Sequence, residues 1–163
     1  MGASQVPATS GLTDNFELIS SVTASGSSVA FTSISGYKKL MLRCNALSVS
    51  GGNKTWTIRL NSDSGTNYDF AYSANDNVQT GQTAFGFPQT GELLSAFYVF
   101  ENTNTTGVKT LEGSFKITNA TPVSYVSVNE VGNYYASASI STVTLAVSTG
   151  NLSGTISLYG VRV

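Results

Sequence analysis

The chain has 163 residues, enough for one domain with its own hydrophobic core. Its eight basic and nine acidic residues leave a net charge of −1, and charged residues are only 10% of the total, under half the usual share. That excludes the clustered cationic face of a nucleic-acid binder, since Lys38-Lys39 is the only adjacent basic pair. No apolar run reaches the 18 residues that a membrane span needs.

Residues 1–15 read as an extended arm. They are small and polar, Pro7 and Gly11 exclude regular structure, and only Val6 and Leu12 offer sizeable apolar contact. The segment lacks the charged and apolar regions of a signal peptide, and Val6 stands where a myristoylation pattern wants Ser or Thr. An arm of this kind orders on a neighbour. The core domain is expected over residues 16–163.

Phe16–Thr23 predicts a strand, although Ile19 breaks the alternation of Phe16, Leu18 and Val22. A Ser-Gly-Ser turn leads to a short strand around Val29 and Phe31. Leu40–Tyr72 carries the clearest signal. Leu40, Leu42, Cys44 and Ala46, then Trp56, Ile58 and Leu60, then Tyr68, Phe70 and Tyr72 occupy alternate positions, with Gly/Asn/Asp turns between the groups. This predicts a three-stranded antiparallel meander with one buried face. Ser73–Gly91 is polar and rich in Gly and Asn, and reads as a surface loop with one short strand near Phe85.

Leu93–Glu101 differs from the other strands because both faces are apolar. Leu94, Ala96, Tyr98 and Phe100 point one way; Leu93, Phe97 and Val99 point the other. Leaving the second set in water would forgo roughly 1.5–3 kcal/mol per side chain. These three, with Val6 and Leu12, are the expected interface. The partner is another copy of the chain, or else Ser73–Gly91 folds back over the face. Leu111, Phe115 and Ile117 predict a half-exposed strand, and Tyr125–Val131 another, with Val126, Val128 and Glu130 on one face. Val143, Leu145 and Val147 are expected to pair with Ile156 and Leu158 across a Gly-rich loop. No window has helical spacing behind a cap. The fold class is all-β: an antiparallel two-sheet β-sandwich, jelly-roll-like, with Trp56, Ile58, Leu42, Phe115, Leu145 and Leu158 in one core.

Little in the chain points to catalysis. The absence of histidine removes Ser-His-Asp and Cys-His nucleophiles and His-ligated zinc. The single Cys44 lies on an apolar face and reads as a small core residue. No phosphate-binding Gly loop occurs. The acidic residues are spread singly, without the paired carboxylates of a glycosidase. Asn61, Asp63, Gly65, Asn67 and Asp69 recur at alternate positions, as calcium ligands do, but the Gly and the missing Glu do not fit an EF-hand loop. The simpler reading is a turn in which Asp63 bonds to backbone and Gly65 takes positive φ. No catalytic residue, metal or cofactor is expected. The four Asn-X-Ser/Thr sequons, at Asn53, Asn104, Asn119 and Asn151, are expected in so hydroxyl-rich a chain and read as unused.

Ile58–Tyr72, with its Arg-Leu-Asn strand end and Asp-Ser-Gly-Thr-Asn-Tyr turn, resembles a segment of tailed-bacteriophage virion proteins. Ile19–Ile34, Tyr37–Arg43 and Gly154–Arg162 are similar to the start and end of the same proteins. The resemblance implies a jelly-roll virion component: a capsid decoration or cement protein, a head fibre or a tail adhesin. It implies a homo-oligomer, a trimer, in contact with the major capsid protein or other virion proteins, at the capsid surface or in the tail. The alternative is a receptor-binding or tail-fibre domain that stacks Tyr134, Tyr135 or residues of Ser73–Gly91 on glycans. A glycan-processing enzyme is the third class, and it lacks an acid/base pair.

Overall fold

The computed structural model describes residues 15–49, 54–73, 78–89, 93–119 and 124–163. They form twelve strands: β1 (Glu17–Gly26), β2 (Ser28–Phe31), β3 (Tyr37–Val49), β4 (Lys54–Leu60), β5 (Tyr68–Tyr72), β6 (Val78–Gln82), β7 (Phe85–Gln89), β8 (Leu93–Glu101), β9 (Lys109–Asn119), β10 (Ser124–Tyr134), β11 (Val143–Val147) and β12 (Leu152–Arg162). The arm, with Val6 and Leu12, lies outside the described residues.

The strands make two antiparallel sheets packed as a sandwich. The larger has the order β1-β12-β3-β8-β9-β10-β5-β6, the smaller β2-β11-β4-β7. Setting aside β5, β6, β9 and β10 and renumbering the remaining strands in sequence gives 1-8-3-6 in one sheet and 2-7-4-5 in the other. That is the wiring of a jelly roll, two interleaved Greek keys. The other four strands extend the larger sheet beyond β8.

This wiring corrects three sequence expectations. Leu40–Tyr72 is not a meander: β3 and β5 lie in the larger sheet, and β4 between them lies in the smaller. Alternation fixes which face of a strand is buried, but it does not say which strand is its neighbour. β11 pairs with β2 and β4, whereas Ile156 and Leu158 belong to β12, which pairs with β1 and β3. The two apolar rows enter one core from opposite sheets. The described residues of Ser73–Gly91 do not fold over a face. They supply two strands, β6 to the larger sheet and β7 to the smaller.

The core contains Trp56, Ile58, Leu42, Phe115, Leu145 and Leu158, all buried in one cluster as expected. The irregular Ile19 is explained by a β-bulge between Leu18 and Ser20, which turns Ile19 inward against the core while Leu18 stays exposed. Two glycines on the inner face of the extension make room for rings. Gly113 lies opposite Tyr98, whose ring occupies the space a Cβ would fill; that Cβ would stand 2.2 Å from Tyr98 Cδ1. Phe85 covers Gly132 in the same way, at 2.7 Å. Phe85 also meets Tyr68 edge-on, with ring centroids 5.0 Å apart, and Tyr68 packs on Tyr134 at 4.7 Å. These rings fasten the four added strands to the smaller sheet.

Trp56→Ala should destabilise the fold by about 3–5 kcal/mol through the cavity it leaves. Gly113→Ala should cost about 1–3 kcal/mol by forcing Tyr98 aside. Denaturant unfolding measures both, and a shift under about 0.5 kcal/mol in either, the range of ordinary surface changes, would contradict the packing.

Candidate interaction face

The alternation of β8 holds in three dimensions. Ala96, Tyr98 and Phe100 are buried; Phe97 is exposed and Val99 half-buried on the outer face. Leu93 stands opposite Ser48 and Thr118 in the ladders, and its side chain is outside the described set. Neighbouring strands place further apolar residues beside this pair. Leu18 lies opposite Tyr159, Tyr159 opposite Met41, and Met41 opposite Val99. Past β8 the row runs from Val99 to Glu112, Val131, Ala71 and Val78. Cross-strand partners share a face, so one row of side chains crosses all eight strands, and Glu112 is its only charge. Leu18, Val131 and Val78 are 57%, 55% and 67% exposed, and Phe97 is 48% exposed. Sequence reasoning found Phe97 and Val99 because they sit on one strand. It missed Leu18, Val131 and Val78 because only register brings them into line.

One shallow hollow lies beside the row and another lies within it. Arg43, Ser95, Phe97 and Lys116 line one of about 320 Å³; Glu112, Val131, Ala71, Val78 and Asp69 line another of about 370 Å³. The first is basic around an aromatic ring and the second acidic around an aliphatic floor. Asp69 accepts a hydrogen bond from the Gly81 N–H at 2.8 Å.

Other reactive groups are engaged in the fold. Burial pushes the Cys44 thiol up to about 12, so it stays protonated and inert. The Asn61–Asp69 constellation is a turn. Asp63 accepts from the Gly65 N–H (2.7 Å), the Asn67 amide (2.8 Å) and the Tyr134 hydroxyl (3.0 Å). The left-handed residues are Asn61 and Ser62, at φ 55° and 54°, and not Gly65 as the sequence suggested. Two consecutive positive φ values make a primed turn, closed by the Asp63 N–H to the Leu60 carbonyl at 3.0 Å. Gly65 is needed for space: a Cβ there would stand 2.9 Å from the Asn67 amide nitrogen. No group of three His, Cys, Asp or Glu side chains suits a metal among the described residues. The Tyr134-Tyr135 pair divides, with Tyr134 buried and Tyr135 exposed.

Glu130, which the sequence places on one face with Val126 and Val128, is buried, a consequence that sequence reasoning did not draw. It lies opposite Gly113 and Tyr72 on the inner face, fully buried. Desolvation pushes its carboxyl up to about 8, and the nearby Tyr98 hydroxyl pulls against that rise. No bond of good geometry closes between them: Tyr98 Oη and both Glu130 oxygens lack a hydrogen-bond partner. The signal was present, because Glu130 falls in phase with the buried Val128.

No family model matches the chain, and no curated protein matches it. Among solved structures, one titled "Structure of infectious bursal disease virus Gx strain" aligns over 91% of this chain and 42% of that chain, at 14% identity and a TM-score of 0.13. A score so low adds nothing to either fold or function.

The two carboxyls set opposite pH limbs. Glu130 releases its proton near 4.5 when unfolded and near 8 when folded, so the native state holds an extra proton between these values. Stability therefore falls as pH rises through that window, by up to about 1.4 kcal/mol per unit. Hydrogen bonds hold Asp63 below its ordinary 3.8, so its contribution is full above that value and is lost as pH drops further. Thermal melts should show the Glu130 limb as a decline in stability from about pH 4.5 toward pH 8. Glu130→Gln should flatten the decline toward pH 8; an unchanged slope would contradict a buried, protonated Glu130.

Proposed function

We propose that this chain is a non-enzymatic structural protein of a tailed-bacteriophage virion, one that decorates or cements the capsid. The observation that carries this reading is a jelly-roll sandwich that leaves an apolar row exposed across its larger sheet. Apolar surface on such a scale favours docking to protein. The polar groups capable of chemistry serve the fold: Asp63 holds a turn, Cys44 is buried as a thiol, and Glu130 is buried as an acid. The strand-and-turn resemblance of Ile58–Tyr72 to virion proteins supports the same class. The low charge and hydroxyl-rich surface suit a particle exposed to the medium.

A tail-fibre or glycan-binding role is the second reading, and exposed Tyr135 beside Asn133 favours it. It is the weaker one, because Tyr134 is committed to Asp63 and only one ring of the Tyr134-Tyr135 pair is left to stack on a sugar.

Quantitative mass spectrometry of purified particles tests the assignment. A copy number matching the shell lattice is expected, whereas a handful of copies would move the protein to the tail. Deleting residues 2–13 should leave the melting temperature unchanged, because the strands begin at Glu17, and should lower incorporation into particles. Full incorporation of the truncated protein would put the anchor on the sandwich itself.

A further inference from the structure

We infer that the hollow around Phe97 is a binding site for an acidic saccharide, one that carries carboxylates on its sugar rings. The inference goes beyond the virion reading and stands without it, and Tyr135 is not among the residues of the hollow.

The chain has eight basic residues, and the fold engages all but Arg43 and Lys116. Lys39 and Arg162 are ion-paired with Glu101 and Glu17. Lys54, Arg59 and Lys109 donate to the carbonyls of Val49, Thr83 and Ala136. Lys38 is also engaged. Arg43 and Lys116 make no side-chain hydrogen bond or ion pair among the described residues. Both are exposed, and both line this one hollow of about 320 Å³.

The ladders set the geometry of the hollow. Arg43, Phe97 and Ser114 form one cross-strand row, and Ser95 stands opposite Lys116 in the next. Arg43 and Lys116 therefore occupy opposite corners of a block three strands wide, ~12 Å apart by strand spacing and rise, with Phe97 between them. A β-bulge in β3 completes the second row. Asn45 and Ala46 together face Ser95, and both are exposed where strict alternation would bury Ala46. Ala46 takes φ 49°, a left-handed angle unfavourable for alanine, and Gly154 makes room for its carbonyl, since a Cβ there would stand 2.6 Å away. Bulges and left-handed residues other than glycine gather beside ligand sites. Here the first residue of the bulge, Asn45, lines the hollow.

These groups match a short acidic sugar chain. Phe97, 48% exposed, offers an aromatic surface to the C–H face of a pyranose. Arg43 presents a planar fork to one carboxylate, and Lys116 a point charge to another. Asn45, Ser95 and Ser114 supply neutral donors and acceptors suited to ring hydroxyls. With the ring between them, the two cations favour charges spaced along one ligand over a single phosphate. Other polyanions fit less well. A sheet holds an extended peptide by added strand pairing, and both ladders of β8 are already occupied, by β3 and β9. A nucleic acid draws its affinity from more phosphate contacts than this pair of cations provides. The volume lies at the lower end of small-molecule sites, ~300–1,000 Å³, as a short saccharide requires.

Isothermal titration calorimetry on the full-length protein tests this. The probes are tetrasaccharides of polygalacturonate, polymannuronate and hyaluronan, together with the methyl ester of each, which keeps the skeleton and removes the charge. At least one carboxylated probe should bind, and added salt should weaken it. Methyl esterification, Arg43→Gln and Lys116→Gln should each weaken binding roughly tenfold, as the loss of a charge-assisted contact does. Phe97→Ala should weaken it roughly threefold or more. All three side chains are exposed, so the variants should keep the circular dichroism and melting temperature of the parent. Tyr135→Ala should leave binding unchanged. The proposal is overturned if none of the carboxylated probes binds at millimolar concentration, if the esters bind equally well, or if Arg43→Gln and Phe97→Ala have no effect. Loss of binding on Tyr135→Ala would overturn it too, by moving the saccharide elsewhere. So would tighter binding of an oligothymidylate or a doubly phosphorylated peptide, which would assign the hollow to nucleic acid or to protein. None of these results bears on copy number in the particle, so the virion reading stands or falls separately.

Discussion

The corner between Leu60 and Tyr68 is the contact on which the larger architecture depends. There the chain leaves the smaller sheet at the end of β4 and enters the larger sheet at β5, four strands away from β3. A jelly roll does not require that excursion, so something must hold it. The Tyr68 hydroxyl accepts the Leu60 N–H and offers its own proton to the carbonyls of Leu60 and Asp63, at 3.1 and 3.2 Å. Asp63 gathers Gly65, Asn67 and Tyr134, the last from β10. Asn61 reaches the other way, donating to the Ser139 carbonyl and accepting from the N–H groups of Ser141 and Thr142 just before β11. One turn thus ties strands of both sheets. Each group is a polar atom at the margin of a core, where a missing partner would cost about 1–3 kcal/mol.

Beyond that corner the extension is held by shape. A sheet of eight strands facing one of four has more inner surface than its partner sheet can cover. The glycines at 113 and 132 answer this by letting Tyr98 and Phe85 lie flat over the strand. The first of these rings brings a phenol to Glu130, and the result is a carboxyl buried without a well-made bond. A Gln at that position would pack with nearly the same volume and carry no titration penalty. The acid therefore lowers stability at neutral pH, and the packing around Gly132 and the Asp63 corner offsets the loss.

The sequence exposed faces and periods but not connections. Period-2 alternation placed Leu42, Trp56, Phe115 and Leu158 in a core and Phe97 outside it, because burial acts locally on each strand. It could not show that β4 lies in a different sheet from β3 and β5, since a hairpin turn and a corner use the same Gly, Asn and Asp residues. Ser73–Gly91 read as loop because β6 is an edge strand, exposed on much of its surface and so free of any apolar pattern. Glu130 was in phase with Val128, yet a single carboxylate on a strand is ordinarily solvated, and only the glycine opposite it shows why it is not. The row across the outer face is a property of register alone, assembled from eight strands that contribute one residue each.

The edges of the sheets explain why association should use that face. A strand edge carries unpaired N–H and C=O groups and invites another strand unless it is blocked. Here every edge is blocked. β1 is bulged at Leu18–Ser20, and its first residue, Glu17, is drawn into an ion pair with Arg162 at 2.7 Å. β2 has only four residues. β6 breaks register and turns through Gly81 at φ 61°. β7 carries Pro88, which has no N–H to donate. Growth of either sheet by strand addition is therefore disfavoured at all four ends. The two flat surfaces remain, and the outer face of the larger sheet is the one that carries an uninterrupted succession of outward side chains. The fold suppresses open-ended edge pairing and leaves a bounded surface as the place where a neighbour can bind.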